Sequence, residues 1–126
     1  MGRHPLLIAL VDDDEDVRIA LGRLLCAAGM ATEGFASGAA LLRSMDDHAP
    51  DCVVLDLHMP VMDGFEVQVA LARRGSTVPV IIVTGDDLPT TRQRAMALGA
   101  RGYLCKPVDG EQFLATIGAV MQGGSP

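Results

Sequence analysis

Three nearly continuous apolar runs, "LLIALV" (6–11), "CVVLDL" (52–57) and "VPVIIVT" (78–84), constrain this chain more than any other feature. They are short and rich in branched side chains, which is how strands covered on both faces read. Two weaker candidates, "ATEGFA" (31–36) and "GYLC" (102–105), fit the same spacing.

Helical patterns fill the intervals. Val17, Ala20, Leu21, Leu24, Leu25 and Ala28 recur at three- and four-residue steps, and Gly29 follows as a stop. Ser37 is placed to cap a second helix carrying Leu41, Leu42 and Met45. Gly64 to Arg74 reads as a third helix ended by Gly75, and Thr90 to Leu98 as a fourth stopped at Gly99. Phe113, Leu114, Ile117, Val120 and Met121 give the last helix its apolar face. Strict alternation of strand and helix predicts a parallel sheet with right-handed crossovers and helices on both faces. The expectation is one three-layer α/β domain over residues 1–122, with 123–126 as a flexible tail or linker stub.

The totals agree with that reading. A chain of 126 residues, 49% apolar and 21% charged, is long enough to bury a core without staples. A net charge of −6 argues against duplex nucleic acid as a direct ligand. The three cysteines, Cys26, Cys52 and Cys105, form no C-x-x-C and are expected as small buried hydrophobes in a reducing compartment. The N-terminal apolar stretch is too short for a signal peptide or a membrane span, so a cytoplasmic location is expected, with no membrane contact.

In a sheet of this kind ligands bind at the carboxyl ends of the strands. The first run ends in Asp12 and Asp13, the third strand at Asp56, the fourth at Thr84 and the fifth at Lys106. Three carboxylates, a hydroxyl and an ammonium therefore converge on one rim. Lys106 is the only lysine among ten basic residues, and it stands between a strand and a proline. Two carboxylates ~4 Å apart repel by roughly 4 kcal/mol at an effective dielectric near 20, and a third worsens this. The cluster calls for a cation, and carboxylates, a carbonyl and waters are what Mg²⁺ takes. With a lysine and a hydroxyl beside it, such a site suits an anionic phosphoryl group. No G-x-x-x-x-G-K-[ST], G-x-G-x-x-G or G-x-S-x-G is present. His4, His48 and His58 share no ligand spacing, and His58 reads as a loop histidine at the rim.

"VDDD" after the first strand, "DLHMPVMDG" after the third, "VTG" after the fourth and "KP" after the fifth resemble the receiver domain of two-component response regulators. The likeness spans about residues 6–122. It implies a flavodoxin-like (CheY-like), doubly wound five-stranded sheet of order 2-1-3-4-5. It also implies that Asp56 accepts a phosphoryl group from a histidine kinase or a histidine phosphotransfer protein. Asp12, Asp13, Asp56 and the His58 carbonyl would hold Mg²⁺, with Mn²⁺ as an alternative ion. Thr84 would donate to the phosphoryl group, Lys106 would pair with one of its oxygens, and the Lys106–Pro107 bond would be cis. Thr84 and Tyr103 would act as the switch, reshaping the face of the fourth helix, fifth strand and fifth helix for an effector, an output domain or a phosphorylation-dependent homodimer. No turnover activity is implied. "VTGDD" and "AMALGARGYLCKP" look most like FixJ-type receivers, and His58 and Asp86 fall at rim positions that bias phosphoryl lifetime in this family.

Two other readings stay in view. Asp12-x-Asp14 satisfies the D-x-D letters of a magnesium-dependent aspartyl phosphatase, although the chain has no length to spare for a substrate cap. A degenerate receiver acting only as a binding surface is the other. Within "VDDDEDVR" the acids divide: Asp12 and Asp13 point to the site, Asp14 caps the first helix, and Glu15 and Asp16 lie in its first turn, where the helix dipole favours them.

Overall fold

The computed structural model describes residues 5–123. Among these, strands and helices alternate without exception: β1 (Leu7–Val11), α1 (Glu15–Ala27), β2 (Ala31–Phe35), α2 (Gly38–Ser44), β3 (Cys52–Leu55), α3 (Gly64–Arg73), β4 (Val80–Thr84), α4 (Pro89–Ala97), β5 (Gly102–Cys105) and α5 (Gly110–Met121). Every pairing is parallel, and the sheet runs β2-β1-β3-β4-β5. This is the flavodoxin-like, CheY-like order. His4 and the first residues of the expected 1–122 domain lie outside the described residues, as does the expected tail apart from Gly123.

Successive side chains of a strand point to opposite faces, so each central strand feeds two cores. Ala9, Val11, Val53, Leu55 and Ile82 pack with Leu41, Val67 and Ala95 on the side of α2, α3 and α4. Ile8, Leu10, Val54, Ile81 and Val83 pack with Leu21, Leu25, Phe113 and Ile117 on the side of α1 and α5. Each large apolar side chain buried this way contributes about 1.5–3 kcal/mol. The edge strand β2 is only half covered, and its Glu33 meets His48 at 2.7 Å.

The helix starts follow the capping residues. Asp14, Ser37, Asp63 and Asp109 each accept a first-turn N–H, and Asp63 forms a reciprocal capping box with Glu66. The glycines expected as stops follow α1, α3 and α4 with positive φ.

Where boundaries differ from expectation, a local contact explains it. The third strand ends at Leu55, one residue before the expected Asp56, and the Gly64 N–H donates to the Leu57 carbonyl at 2.9 Å, which folds the following loop back. The Pro79 carbonyl accepts from the Val53 N–H at 2.9 Å, yet Pro79 has no N–H to give, and β4 begins at Val80. α4 begins one residue early, with Pro89 in its first turn, where a missing N–H costs nothing. The buried stripe of α1 is narrower than expected, since Ala20 and Ala28 are exposed. The cysteines also depart from expectation. Only Cys52 is buried, its thiol pushed up to about 12 chiefly by that burial, while Cys105 is half-buried and Cys26 exposed. Among the described residues no helix is long and apolar enough to cross a membrane.

Candidate functional site

Strand order reverses between β1 and β3, and the crevice above their carboxyl ends is where doubly wound sheets bind ligands. The register pairs Val11 with Leu55, so the next residues, Asp12 and Asp56, emerge side by side. The Asp56 N–H donates to the Val11 carbonyl at 2.9 Å. Asp12 and Asp56 are each 5% exposed, and Thr84, at the end of β4, is 0% exposed. The Lys106 N–H donates to the Thr84 carbonyl at 2.8 Å, which ties the ends of β4 and β5 together, and the Lys106–Pro107 bond is cis.

Lys106 Nζ reaches inward to Asp12 Oδ2 at 2.8 Å and Asp56 Oδ2 at 3.7 Å. The other Asp12 oxygen accepts from the Asp14 N–H at 2.9 Å, and Asp56 Oδ1 accepts from the His58 N–H at 3.3 Å. Asp12, Asp13 and Asp56 each present a carboxylate oxygen within 4.8 Å of the other two. Burial, and then the Asp12 charge, hold the Asp56 carboxyl above the usual range, only partly opposed by Lys106 and the His58 N–H. Burial works against the Lys106 charge, but the hydrogen bond to Asp12 and the charges of Asp56 and Asp12 outweigh it and raise its pKa. One ammonium does not balance three carboxylates. An oxygen-only donor set with uncompensated negative charge fits a hard divalent cation, Mg²⁺ or Mn²⁺, in preference to a softer metal.

A second network lies along the rim. The Asp86 N–H donates to Thr84 Oγ1 at 3.3 Å, and the Asp86 carbonyl accepts from the Tyr103 hydroxyl at 2.7 Å. The Asp86 carboxylate accepts from the Leu88 N–H and the Thr91 hydroxyl, both at 3.0 Å, and its Oδ2 stands 3.4 Å from His58 Nε2. These contacts, the Leu88 N–H first, hold the Asp86 carboxyl below the usual range. Asp86 thereby supplies the capping that α4 otherwise lacks, because its own N-cap, Leu88, has no side-chain acceptor. Tyr103 is buried against the sheet with the Arg92 guanidinium 5.4 Å from its ring centre.

The acidic run divides as its spacing suggests. Asp14 accepts from the Asp16 N–H at 2.9 Å as the cap of α1, and Glu15 and Asp16 occupy the first turn. With Asp14 engaged in capping, the D-x-D phosphatase reading loses its second carboxylate. Sequence reasoning missed two things. It did not connect Asp86 to α4 and Tyr103 through the bonds above. It also passed over Arg18, whose guanidinium donates from Nη1 to the Asp12 backbone carbonyl. The signal for Arg18 was available: it falls three and seven residues before the buried Leu21 and Leu25, a charge on an apolar stripe.

Residues 8–118 match the family model for the response regulator receiver domain. The chain is 37% identical over 122 residues to the response regulator MprA of Mycobacterium sp. (strain KMS), covering 97% of this chain and 53% of that protein. It thus spans about half the length of the curated relatives it matches. A solved response regulator receiver protein from Burkholderia phymatum superposes with a TM-score of 0.84 at 40% identity, covering 96% of this chain and 98% of that one. A solved FixJ-N structure superposes with a TM-score of 0.87 at 28% identity, covering 95% and 96%.

Proposed function

The chain belongs to the response regulator receiver family, whose general function is phosphorylation on an aspartate and control of an output, and we propose that Asp56 is the residue phosphorylated here. The donor is the phosphohistidine of a histidine kinase or a histidine phosphotransfer protein. An Asp56 oxygen forms the new P–O bond as the P–N bond breaks, and the departing imidazole keeps the bonding electron pair. Little covalent assistance is needed, so catalysis is positioning and charge stabilisation. Lys106 pairs with a phosphoryl oxygen, and Thr84 donates its hydroxyl to another.

Asp12, Asp13, Asp56 and the His58 carbonyl would hold Mg²⁺, or Mn²⁺ in its place. When bound, the ion offsets negative charge on the phosphoryl oxygens. The observation that carries the reading is the surroundings of Asp56: a buried carboxylate, 3.7 Å from the chain's one lysine and within 4.8 Å of Asp12 and Asp13 oxygens.

Output follows from the rim. Once Thr84 turns to the phosphoryl group, its hydroxyl no longer serves the Asp86 N–H, and the Asp86–Tyr103 bond is free to rearrange. Thr84 and Tyr103 are thus the switch, and the α4-β5-α5 face changes shape for an effector, an output domain or a second copy of the chain. Residues 1–122 form the receiver and 123–126 its tail or linker. The domain is a cytoplasmic switch rather than a turnover enzyme, and its net charge of −6 argues against direct DNA contact by this chain.

Incubation with a small-molecule phosphodonor and Mg²⁺ should add one phosphoryl group by intact mass. Asp56→Ala should show no addition. Absence of a mass increase in the wild type, or an equal increase in both proteins, would sink the proposal.

A further inference from the structure

Asp12 has every polar group engaged. Its N–H donates to the Phe35 carbonyl at 3.1 Å, its two carboxylate oxygens accept from Asp14 and Lys106, and its carbonyl accepts from Arg18 Nη1. Val11 is the last ladder residue of β1, so the Asp12 carbonyl lies where the sheet no longer supplies regular partners. Arg18 fills that vacancy from α1. Its stem runs over Gly34 of β2: a Cβ at position 34 would stand 3.4 Å from Arg18 Cδ and 3.6 Å from Nε. The side chain is half-buried and ends on a backbone oxygen rather than in solvent.

From this arrangement we infer that Arg18 is a positioning residue for the cation site. A planar peptide fixes its two flanking residues together, so holding the Asp12 carbonyl sets the Asp12–Asp13 peptide plane. With the Asp12 N–H bonded to Phe35 and the Asp14 N–H to Asp12 Oδ1, that plane restricts the directions in which both side chains leave the backbone. Arg18 therefore acts through Asp12 and Asp13 and touches neither the metal nor the phosphoryl group. The planar guanidinium suits the role better than an ammonium, because its donors are fixed relative to one another. This inference rests on the reading of Asp12, Asp13 and Asp56 as the Mg²⁺ site.

Charge and position predict opposite signs, which makes the inference testable. A cation near a metal site repels the metal, so if charge were the whole effect, removing Arg18 would tighten Mg²⁺ binding. If position is what matters, removal loosens it. Calorimetric titration of Mg²⁺ into the full chain, without phosphodonor, should show Arg18→Ala binding about 10-fold or more weakly, the scale at which outer partners of metal ligands act. Arg18→Lys should recover part of the loss. Gly34→Val, which crowds the Arg18 stem and leaves the residue in place, should weaken binding in the same direction and keeps the test decisive if Arg18→Ala does not fold. Wild-type affinity, or tighter binding, in both Arg18→Ala and Gly34→Val would overturn the inference alone. No Mg²⁺ binding by the wild type would overturn the cation reading and this inference with it.

Discussion

His58 Nε2 lies 3.4 Å from Asp86 Oδ2, joining the loop after β3 to the loop after β4 across the rim that carries Asp56 and Thr84. The same Asp86 carboxylate holds the start of α4 through Leu88 and Thr91, so one side chain braces the rim and positions the helix behind it. Removing it opens the approach to the acceptor. Asp86→Ala should shorten the lifetime of the phosphorylated state several-fold, and His58→Ala should act in the same direction. Because the two residues share one contact, the double variant should add little beyond Asp86→Ala. Decay of the phosphorylated protein, followed by intact mass, is the measurement. Equal decay rates for wild type and Asp86→Ala would remove the idea.

The raised Asp56 pKa gives a stability prediction whose sign is set by linkage. Folding holds this carboxyl's proton more tightly than the unfolded chain does, so the ionised form costs stability in neutral solution without metal. The cost is relieved as pH falls through the folded-state value. Asp56→Asn should therefore melt higher than wild type at pH 7 in chelator. The gain should shrink in acid, where wild-type Asp56 is protonated. Saturating Mg²⁺ should stabilise the wild type preferentially and narrow or reverse the difference. A variant no more stable than wild type in chelator at pH 7 would contradict this account.

Gly64 is required by close approach. A Cβ there would stand 2.5 Å from the Asp56 carbonyl oxygen and 2.7 Å from Leu57 Cα, both backbone atoms that cannot step aside. Gly64→Ala should cost about 1–3 kcal/mol as overpacking and should slow phosphorylation, because the acceptor's own backbone must move. Gly85→Ala is the contrast, since a Cβ at position 85 meets nothing within 4 Å. Thermal melts with phosphorylation rates on both variants would check the pair.

The acidic run can be divided by experiment as well. Asp13→Ala should weaken Mg²⁺ binding by at least about 10-fold. Glu15→Ala should leave metal binding and phosphorylation unchanged, removing only about 0.3–1 kcal/mol of helix-dipole stabilisation. Equal losses of Mg²⁺ affinity in the two variants would mean that the run has been divided in the wrong place.

How far the site was legible depends on the kind of signal each residue leaves. Asp12, Asp56, Thr84 and Lys106 stand directly after unbroken apolar runs, and parallel alternation sends all such ends to one rim. Asp14 and Ser37 were legible because capping is local to a few residues. The fold-back of the loop after β3 was not, because it depends on the Gly64–Leu57 bond across a loop of six residues. The Asp86–Tyr103 bond joins residues 17 apart on different elements, and nothing in their neighbourhoods marks it. Cys26 shows the limit of composition. It lies among apolar neighbours in "RLLCAAG", yet faces solvent because the helix turns only Leu21 and Leu25 fully inward.

The central claim is that Asp56 carries the phosphoryl group, and reductive trapping tests it at the residue itself. Borohydride reduces an acyl phosphate at an aspartate to the alcohol, converting that residue to homoserine. After treatment with phosphodonor and Mg²⁺, peptide mass analysis should find homoserine at position 56 and none at positions 12 or 13. Homoserine at Asp12 or Asp13, or none in a protein that has gained a phosphoryl group, would contradict the account.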